Sequence, residues 1–387
     1  MAGIMETKKY FIKMVASVIC EQPIPAYHEG INLSKIYNLS SQNAVLSILF
    51  LAAKKGNLPL TEEVEKSLKS TYMTNLVRDV SQAEERDYIR GKFNEQNIDY
   101  MFLKGSHLKE LYPAPEIRYM VDMDVLVQGK DLEKGRKILL ERGFTLYADN
   151  GKDLIFTKKP CLTVELHQML FVEDYFMHDY FEDVWQKAES VGNHEYKMSH
   201  NDLYVYTLAH LAEHYLDAGS CFRPTMDLFL MEKKLGDKLD FTYINEQFKK
   251  IGIEKFAEKI RKLYNCMFAD GEYDDDLITM ENYIVLGPPV KNAEEAAKAA
   301  ATKKTKSQRM LETAFPHLSH MRVRYPILKK FPFLLPILWV IRIIHYIFTK
   351  DAGITRKREQ LKNSDRESTE IMREIFDRSG FLYFYVN

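Results

Sequence analysis

Three acidic side chains and one glycine turn carry the chemistry that this sequence suggests. Asp122 and Asp124 stand two residues apart in VDMDVLV, residues 121–127, an apolar run broken only by these two acids. On a β-strand, residues i and i+2 point to the same face. The two carboxylates would therefore converge, while Val121, Met123 and Val125 turn toward a covering helix on the other side. Paired carboxylates repel, and burying either one without a partner is costly. A divalent cation removes that conflict, and Mg²⁺ prefers oxygen ligands. Glu165 lies in a second apolar run, residues 162–166, and completes an acidic cluster if the two strands are neighbours. Two metal ions about 4 Å apart suit the activation of an attacking hydroxyl and the release of pyrophosphate. A third feature comes earlier in the chain: Gly105-Ser106 follows the short apolar run 100–103. A glycine there lets backbone amides approach phosphate oxygens at the start of a helix. An isolated Asp-x-Asp is usually a solvated strand face. The three features together, in this order, point to phosphoryl-type transfer.

Placing these residues requires a small α/β unit, and the surrounding pattern supplies one. Residues 5–95 read as helices. The spacing predicts one over 43–54 and another that starts with acids at Glu62 and Glu63 and runs to about residue 97. Strands are predicted at 100–103, 121–127, 144–147, 154–157 and 162–166, with a helix over 132–142 that ends at Gly143. Helices return after residue 201, over 204–216 and 227–234. Residues 291–306 are rich in Ala, Lys and Glu without an apolar stripe, which predicts a solvated helix or linker. The charged stretch 351–378 predicts a surface helix or mobile tail. The expected division is an N-terminal helical region (1–97), an α/β core (98–190), a helical domain closing the cleft (191–287), and a linker, apolar segment and charged tail (288–387).

The ordered set LKGS (103–106), YPAPEIRYMVDMDVLV (112–127) and VELH (164–167) resembles the uncharacterised bacterial nucleotidyltransferase family of the DNA polymerase β superfamily. In that superfamily a glycine-serine pair follows the first core strand, a DxD lies on the next, and an acid lies on a third. The likeness is specific over about 100–170, and the helical sequence around 210–227 is also similar. The stretch between Ser106 and Asp122 is longer than is usual for the family. The resemblance implies an α+β fold: a polymerase-β-like core, with a small mixed sheet, flanked by N- and C-terminal helical regions. It also implies two Mg²⁺ ions, for which Mn²⁺ may substitute in such sites, and an NTP donor, taken here as ATP. Gly105 and Ser106 would hold the β- and γ-phosphates. Asp122 and Asp124 would bind both metals, and Glu165 would complete the second site and help deprotonate an acceptor hydroxyl. The expected acceptor is a small molecule or a protein.

Several further residues are candidates for nucleotide binding. Lys104 and Arg118 would neutralise triphosphate charge, Arg being suited to bidentate phosphate contact. His167 shares the face of Glu165. His210, His214, Arg223 and Asp227 would form a polar cluster closing the cleft, although Arg223 and Asp227 could instead pair across one helical turn. His210 and His214 also have the i, i+4 spacing of two zinc ligands, but HLAEH is not HExxH and no third ligand is evident. A zinc hydrolase therefore stands as a rival reading. A catalytically weak nucleotide-binding scaffold or regulatory module is another.

Bulk properties narrow the field. The chain has 387 residues and a net charge of −1, which disfavours long nucleic acid as a partner. Its four cysteines are scattered with no CxxC pair, consistent with a reducing cytoplasm. Residues 331–348 (FPFLLPILWVIRIIHYIF) approach the length of a membrane span, but Arg342, His345, Pro332 and Pro336 interrupt them. The segment is expected to be buried, covered by a partner, or in peripheral contact with a membrane.

Overall fold

The computed structural model describes residues 2–302, 306–318, 321–322, 325, 327–349 and 366–381. Four helices open the chain: α1 (Ala2–Ile19), α2 (Leu33–Gln42), α3 (Leu46–Gly56) and α4 (Glu62–Glu95). Thr61 caps α4, and Glu62, Glu63 and Glu65 in its first turn complement the helix dipole. α4 is 34 residues long, about 50 Å of helix. It reaches the main helical core through Leu68 and the sheet core through Ile89 and Phe93.

The fold is α+β, with one seven-stranded mixed sheet flanked by helices. Its strands are β1 (Tyr100–Phe102), β2 (Met123–Val127), β3 (Thr145–Asp149), β4 (Asp153–Lys158), β5 (Leu162–His167), β6 (Glu189–Gly192) and β7 (Glu195–Lys197), in the order β3-β4-β5-β2-β1-β7-β6. β2 runs parallel to β5 and antiparallel to β1, and β7 runs parallel to β1. The hairpin β6–β7 is polar and lacks alternation, so periodicity gives no sign of it.

The alternation of β2 sorts its side chains between two cores. Met123, Val125 and Val127 join Tyr100, Phe102, Val164 and Leu166 on the face covered by α4 and by α6 (Leu132–Glu141). Leu126 and Met101 face the helical layer. Strand β2 begins two residues later than the pattern predicts, and Val121 is exposed instead of covered. Here β1 runs out: Leu103 N still donates to Asp124 O at 3.0 Å, and the chain then turns away at Lys104, leaving residues 121 and 122 without a ladder partner.

The other helices are α5 (Gly105–Leu108), α7 (His178–Glu182), α8 (Val184–Lys187), α9 (His200–Leu216), α10 (Phe222–Leu235), α11 (Phe241–Ile251), α12 (Glu254–Phe268), α13 (Asp275–Leu286), α14 (Ala293–Ala301), α15 (Lys306–Ala314), α16 (Ile327–Lys330), α17 (Leu335–Thr349) and α18 (Arg366–Arg378). α9 is buried on nearly every side and backs the functional face of the sheet. Lys8, itself buried, pairs with Glu281 at 2.5 Å and ties α1 to α13.

One expectation for the C-terminal part is corrected and another is narrowed. α14 is not a solvated linker: Ala296, Ala297 and Ala300 are buried in the main core, because alanine provides a narrow apolar face that a search for large residues overlooks. α18 is an amphipathic surface helix and not a mobile tail. It docks with Met372, Ile375 and Phe376 buried, its charges confined to the outer side. Residues 351–365 of the predicted tail lie outside the described residues. No helix among the described residues is long and apolar enough to cross a membrane. The apolar run is divided into a turn at Pro332–Leu334 and the 15 residues of α17.

Candidate active site

The parallel pairing of β2 and β5 sets Asp124 opposite Glu165 and Leu126 opposite His167. Glu165 and His167 are two residues apart on one strand, so Asp124, Glu165 and His167 emerge on the same face. His167 Nε2 lies 3.1 Å from Asp124 Oδ1 and 3.5 Å from Glu165 Oε2. One ligand atom from each of the three falls within 4.8 Å of the others. Asp153, opposite His167 on β4, brings Oδ2 to 3.8 Å from His167 Nδ1. That nitrogen is buried without a hydrogen bond. Asp122 sits just ahead of β2, and its carboxyl is pushed up by burial and then by the charge of Asp124. The tightest trio is therefore Asp124, Glu165 and His167, with Asp122 beside it.

Two lysines line this face. Lys104 Nζ is 3.7 Å from Asp124 Oδ2 and 5.3 Å from the centroid of the Tyr206 ring. Its backbone has a positive φ of 22°, a conformation that non-glycine residues adopt only under constraint. Lys152 Nζ is 3.9 Å from Glu213 Oε1 on α9. The sequence reading missed Lys152, Asp153, Tyr206 and Glu213. Asp153 was accessible in principle, since pairing the strand at 154–157 antiparallel to 162–166 sets it opposite His167.

The acids are electrostatically divided. Burial opposes ionisation of Asp124, but Lys104 and the hydrogen bond from His167 outweigh it and hold its carboxyl well below the usual range. Glu165 is less well compensated, with His167 Nε2 at 3.5 Å and a weaker contribution from Lys104. Burial, then the charges of Asp124, Asp122 and Asp153, push its carboxyl up to about 8. A carboxylate pair with one imidazole, short of positive charge, is a donor set that fits a divalent cation such as Mg²⁺ or Mn²⁺.

Helix α9 forms the opposite wall. His210 and His214 stack edge-on with ring centroids 4.3 Å apart. Burial and the charge of Lys104 push both imidazoles down, His214 to about 4 and His210 well below its usual value, which favours the neutral form of both. No other His, Cys, Asp or Glu among the described residues joins them in a metal-sized cluster.

Other candidates do structural work. Arg118 donates from Nε and Nη2 to the two carboxylate oxygens of Asp227, each at 2.7 Å, and Tyr112 donates to the same carboxylate at 2.8 Å. Asp227 thus pairs with Arg118 and not with Arg223 along its own helix. Arg223 instead donates to Tyr119 O at 2.5 Å and lies within electrostatic reach of Asp122. Gly105 is needed for packing: a Cβ there would meet Met120 Sδ at 2.3 Å and Arg118 Nη1 at 2.9 Å. The Ser106 amide is already engaged by Leu103 O at 3.2 Å, so it is not the free donor that the turn suggested.

A family model described as "Uncharacterised nucleotidyltransferase" matches residues 29–269, a span that includes the whole sheet and both walls of this site. Searches of the curated proteins and of the solved structures give no match.

Proposed function

The chain belongs to the uncharacterised nucleotidyltransferase family, and we propose that it moves a nucleoside monophosphate from ATP or another NTP onto a hydroxyl of a small-molecule or protein acceptor. The acceptor oxygen bonds to the α-phosphorus, the bond to the bridging oxygen breaks, and pyrophosphate leaves. One observation carries this reading: the β2–β5 register that gathers Asp124, Glu165 and His167. In this reading Asp122, Asp124 and Glu165 hold two Mg²⁺ ions, with His167 at their edge. Bound Mg²⁺ supplies charge neutralisation and acidifies the attacking hydroxyl. Glu165 Oε accepts the hydroxyl proton. Lys104 and Lys152 bring positive charge to the triphosphate from the strand side. His210 and His214 are neutral and offer hydrogen bonds from α9, and Arg223 steadies the charge of Asp122. The clamp of Arg118 and Asp227 holds the loop that delivers Asp122. Gly105 and Ser106 shape the turn against which the phosphates lie. The division into a polymerase-β-like core and a helical lid follows the same reading, and a cytoplasmic location is proposed from the scattered cysteines.

The test is incubation with each α-labelled NTP, Mg²⁺ and a fractionated lysate, following both the label and pyrophosphate. Asp124→Asn is expected to abolish pyrophosphate release while leaving the circular dichroism spectrum unchanged. Turnover of that variant at the wild-type rate overturns the assignment. NTP binding with no pyrophosphate from any fraction would instead favour the scaffold reading.

A further inference from the structure

Helix α17 has two faces with different fates. Successive helical residues advance about 100°, which sets Trp339 and Arg342 on one side and Ile337, Val340, Ile341 and Ile344 on the other. The first side is tied down. Trp339 Nε1 donates to Pro316 O at 2.9 Å, Arg342 Nη1 donates to Ala314 O at 3.1 Å, and Phe315 packs edge-on against Trp339 at 5.5 Å. The second side is open: Ile337 and Val340 are 56% and 55% exposed, and Ile341 and Ile344 are 48% exposed. Phe333, 72% exposed, stands in the turn that leads into the helix. An aliphatic stripe of this kind, held outward by an anchored inner face, is rarely left to water.

The charges around it indicate what covers it. From Lys303 to Lys362 the sequence holds fourteen Lys or Arg and three Asp or Glu, in a chain of net charge −1. The rest of the chain therefore carries a net negative charge, and the basic excess falls in the stretch of sequence that contains the apolar stripe. Lys329 and Lys330 precede α17, and Lys350, Arg356, Lys357 and Arg358 follow it. Nucleic acid would match the charge but leave the isoleucines wet. A lipid surface satisfies both: apolar side chains enter the acyl boundary, and basic residues at the two ends reach anionic headgroups. At 15 residues, about 22 Å, the helix is too short to span a hydrocarbon core of about 30 Å but suits lying along its surface.

We infer that α17 seats this protein on an anionic phospholipid bilayer, parallel to the surface, with the Ile337/Val340/Ile341/Ile344 stripe buried and the flanking basic residues at the headgroups. This places the proposed transferase beside the membrane without depending on its chemistry.

Flotation of the full chain with vesicles tests this, comparing pure phosphatidylcholine with a mixture containing about one-third phosphatidylglycerol. The protein is expected to float with the anionic vesicles only, and less as salt rises. Lys329→Gln/Lys330→Gln lowers the partition coefficient about thirtyfold. Ile337→Asp/Ile341→Asp abolishes flotation while melting as the wild type does. Asp124→Asn floats normally, so a failure here is separable from a failure of the transferase reading. Equal recovery with neutral vesicles, or none with either, overturns the inference. So does a wild-type dimer on gel filtration that Ile337→Asp/Ile341→Asp converts to monomer, since a second copy would then cover the stripe.

Discussion

Glu165→Gln probes the acidic cluster through the proton that a bound metal must displace. The Glu165 carboxyl is held at about 8 by burial and by the charges of Asp124, Asp122 and Asp153. A cation binds the carboxylate form and competes with that proton. At pH 7 about one molecule in ten has Glu165 ionised, so metal binding costs about 1.4 kcal/mol more than in alkali. The apparent Mn²⁺ affinity of the wild type is expected to rise about fiftyfold from pH 6 to pH 8 and to level off above that. At pH 7 each ion bound at this position releases about 0.9 proton. Glutamine keeps the shape and has no proton to lose, so the variant binds more weakly at pH 8 and lacks this part of the slope. Free Mn²⁺ followed by its paramagnetic resonance signal gives the affinities. Calorimetry in two buffers of different ionisation enthalpy counts the protons. Because the two proteins are compared, protons exchanged by other ligands cancel. A wild-type affinity that is flat between pH 6.5 and 8, or a variant with the same slope, refutes the reasoning.

Other consequences are more easily read. A carboxyl whose folded pKa is raised from 4.5 to about 8 destabilises the fold progressively as pH rises through that window. Metal-free Glu165→Gln is therefore expected to be more stable than wild type at pH 7, by up to about 3 kcal/mol, and about equal to it at pH 4. Thermal melts in chelator check this, and a variant that is less stable at pH 7 excludes it. Arg118→Met leaves Asp227 and Tyr112 buried around an unpaired charge and costs about 3–5 kcal/mol in urea unfolding. Arg118→Met/Asp227→Leu recovers most of that loss, and a single variant losing under about 1 kcal/mol shows that the clamp is not structural. Phe376→Ala costs about 3–5 kcal/mol if α18 is part of the core, and close to nothing if it is a loose tail.

The legible part of the sequence was whatever follows from a period or a chain break. Alternation in VDMDVLV predicts β2, and the acids of the two apolar runs were expected to meet if their strands were neighbours, which the pairing of β2 with β5 makes them for Asp124 and Glu165. The family likeness named the chemistry, and the family match over residues 29–269 agrees with it. Three kinds of information were hidden. The end of a strand depends on its neighbour: Val121 fits the pattern and still falls outside β2, because β1 has already turned. Ion-pair partners depend on tertiary distance, so Arg118 meets Asp227 109 residues away while the tempting i, i+4 pair does not form. Small-residue faces escape a search for large apolar side chains, which is how α14 was placed outside the core, while in α18 the apolar face of Met372, Ile375 and Phe376 is hidden among closely spaced charges.

The same distances explain why such a site can persist in a folded chain. Four carboxylates and one imidazole crowd together across β2, β5 and β4, and taken alone they would force the strands apart. Met123, Val125, Val164 and Leu166 alternate with them and bury the opposite face against α4 and α6, so separating β2 from β5 would open a dry core. Across the site, α9 cannot retreat either, since Tyr204, Tyr215 and Leu211 fix its other sides in the helical core. The acids are thus held together by packing that has no interest in their charge. The lysines relieve Asp124 but leave Glu165 unsatisfied. A residual repulsion borne by Glu165 and Asp122, within reach of an imidazole nitrogen and another carboxylate, is the condition in which binding a cation returns more free energy to the fold than it takes.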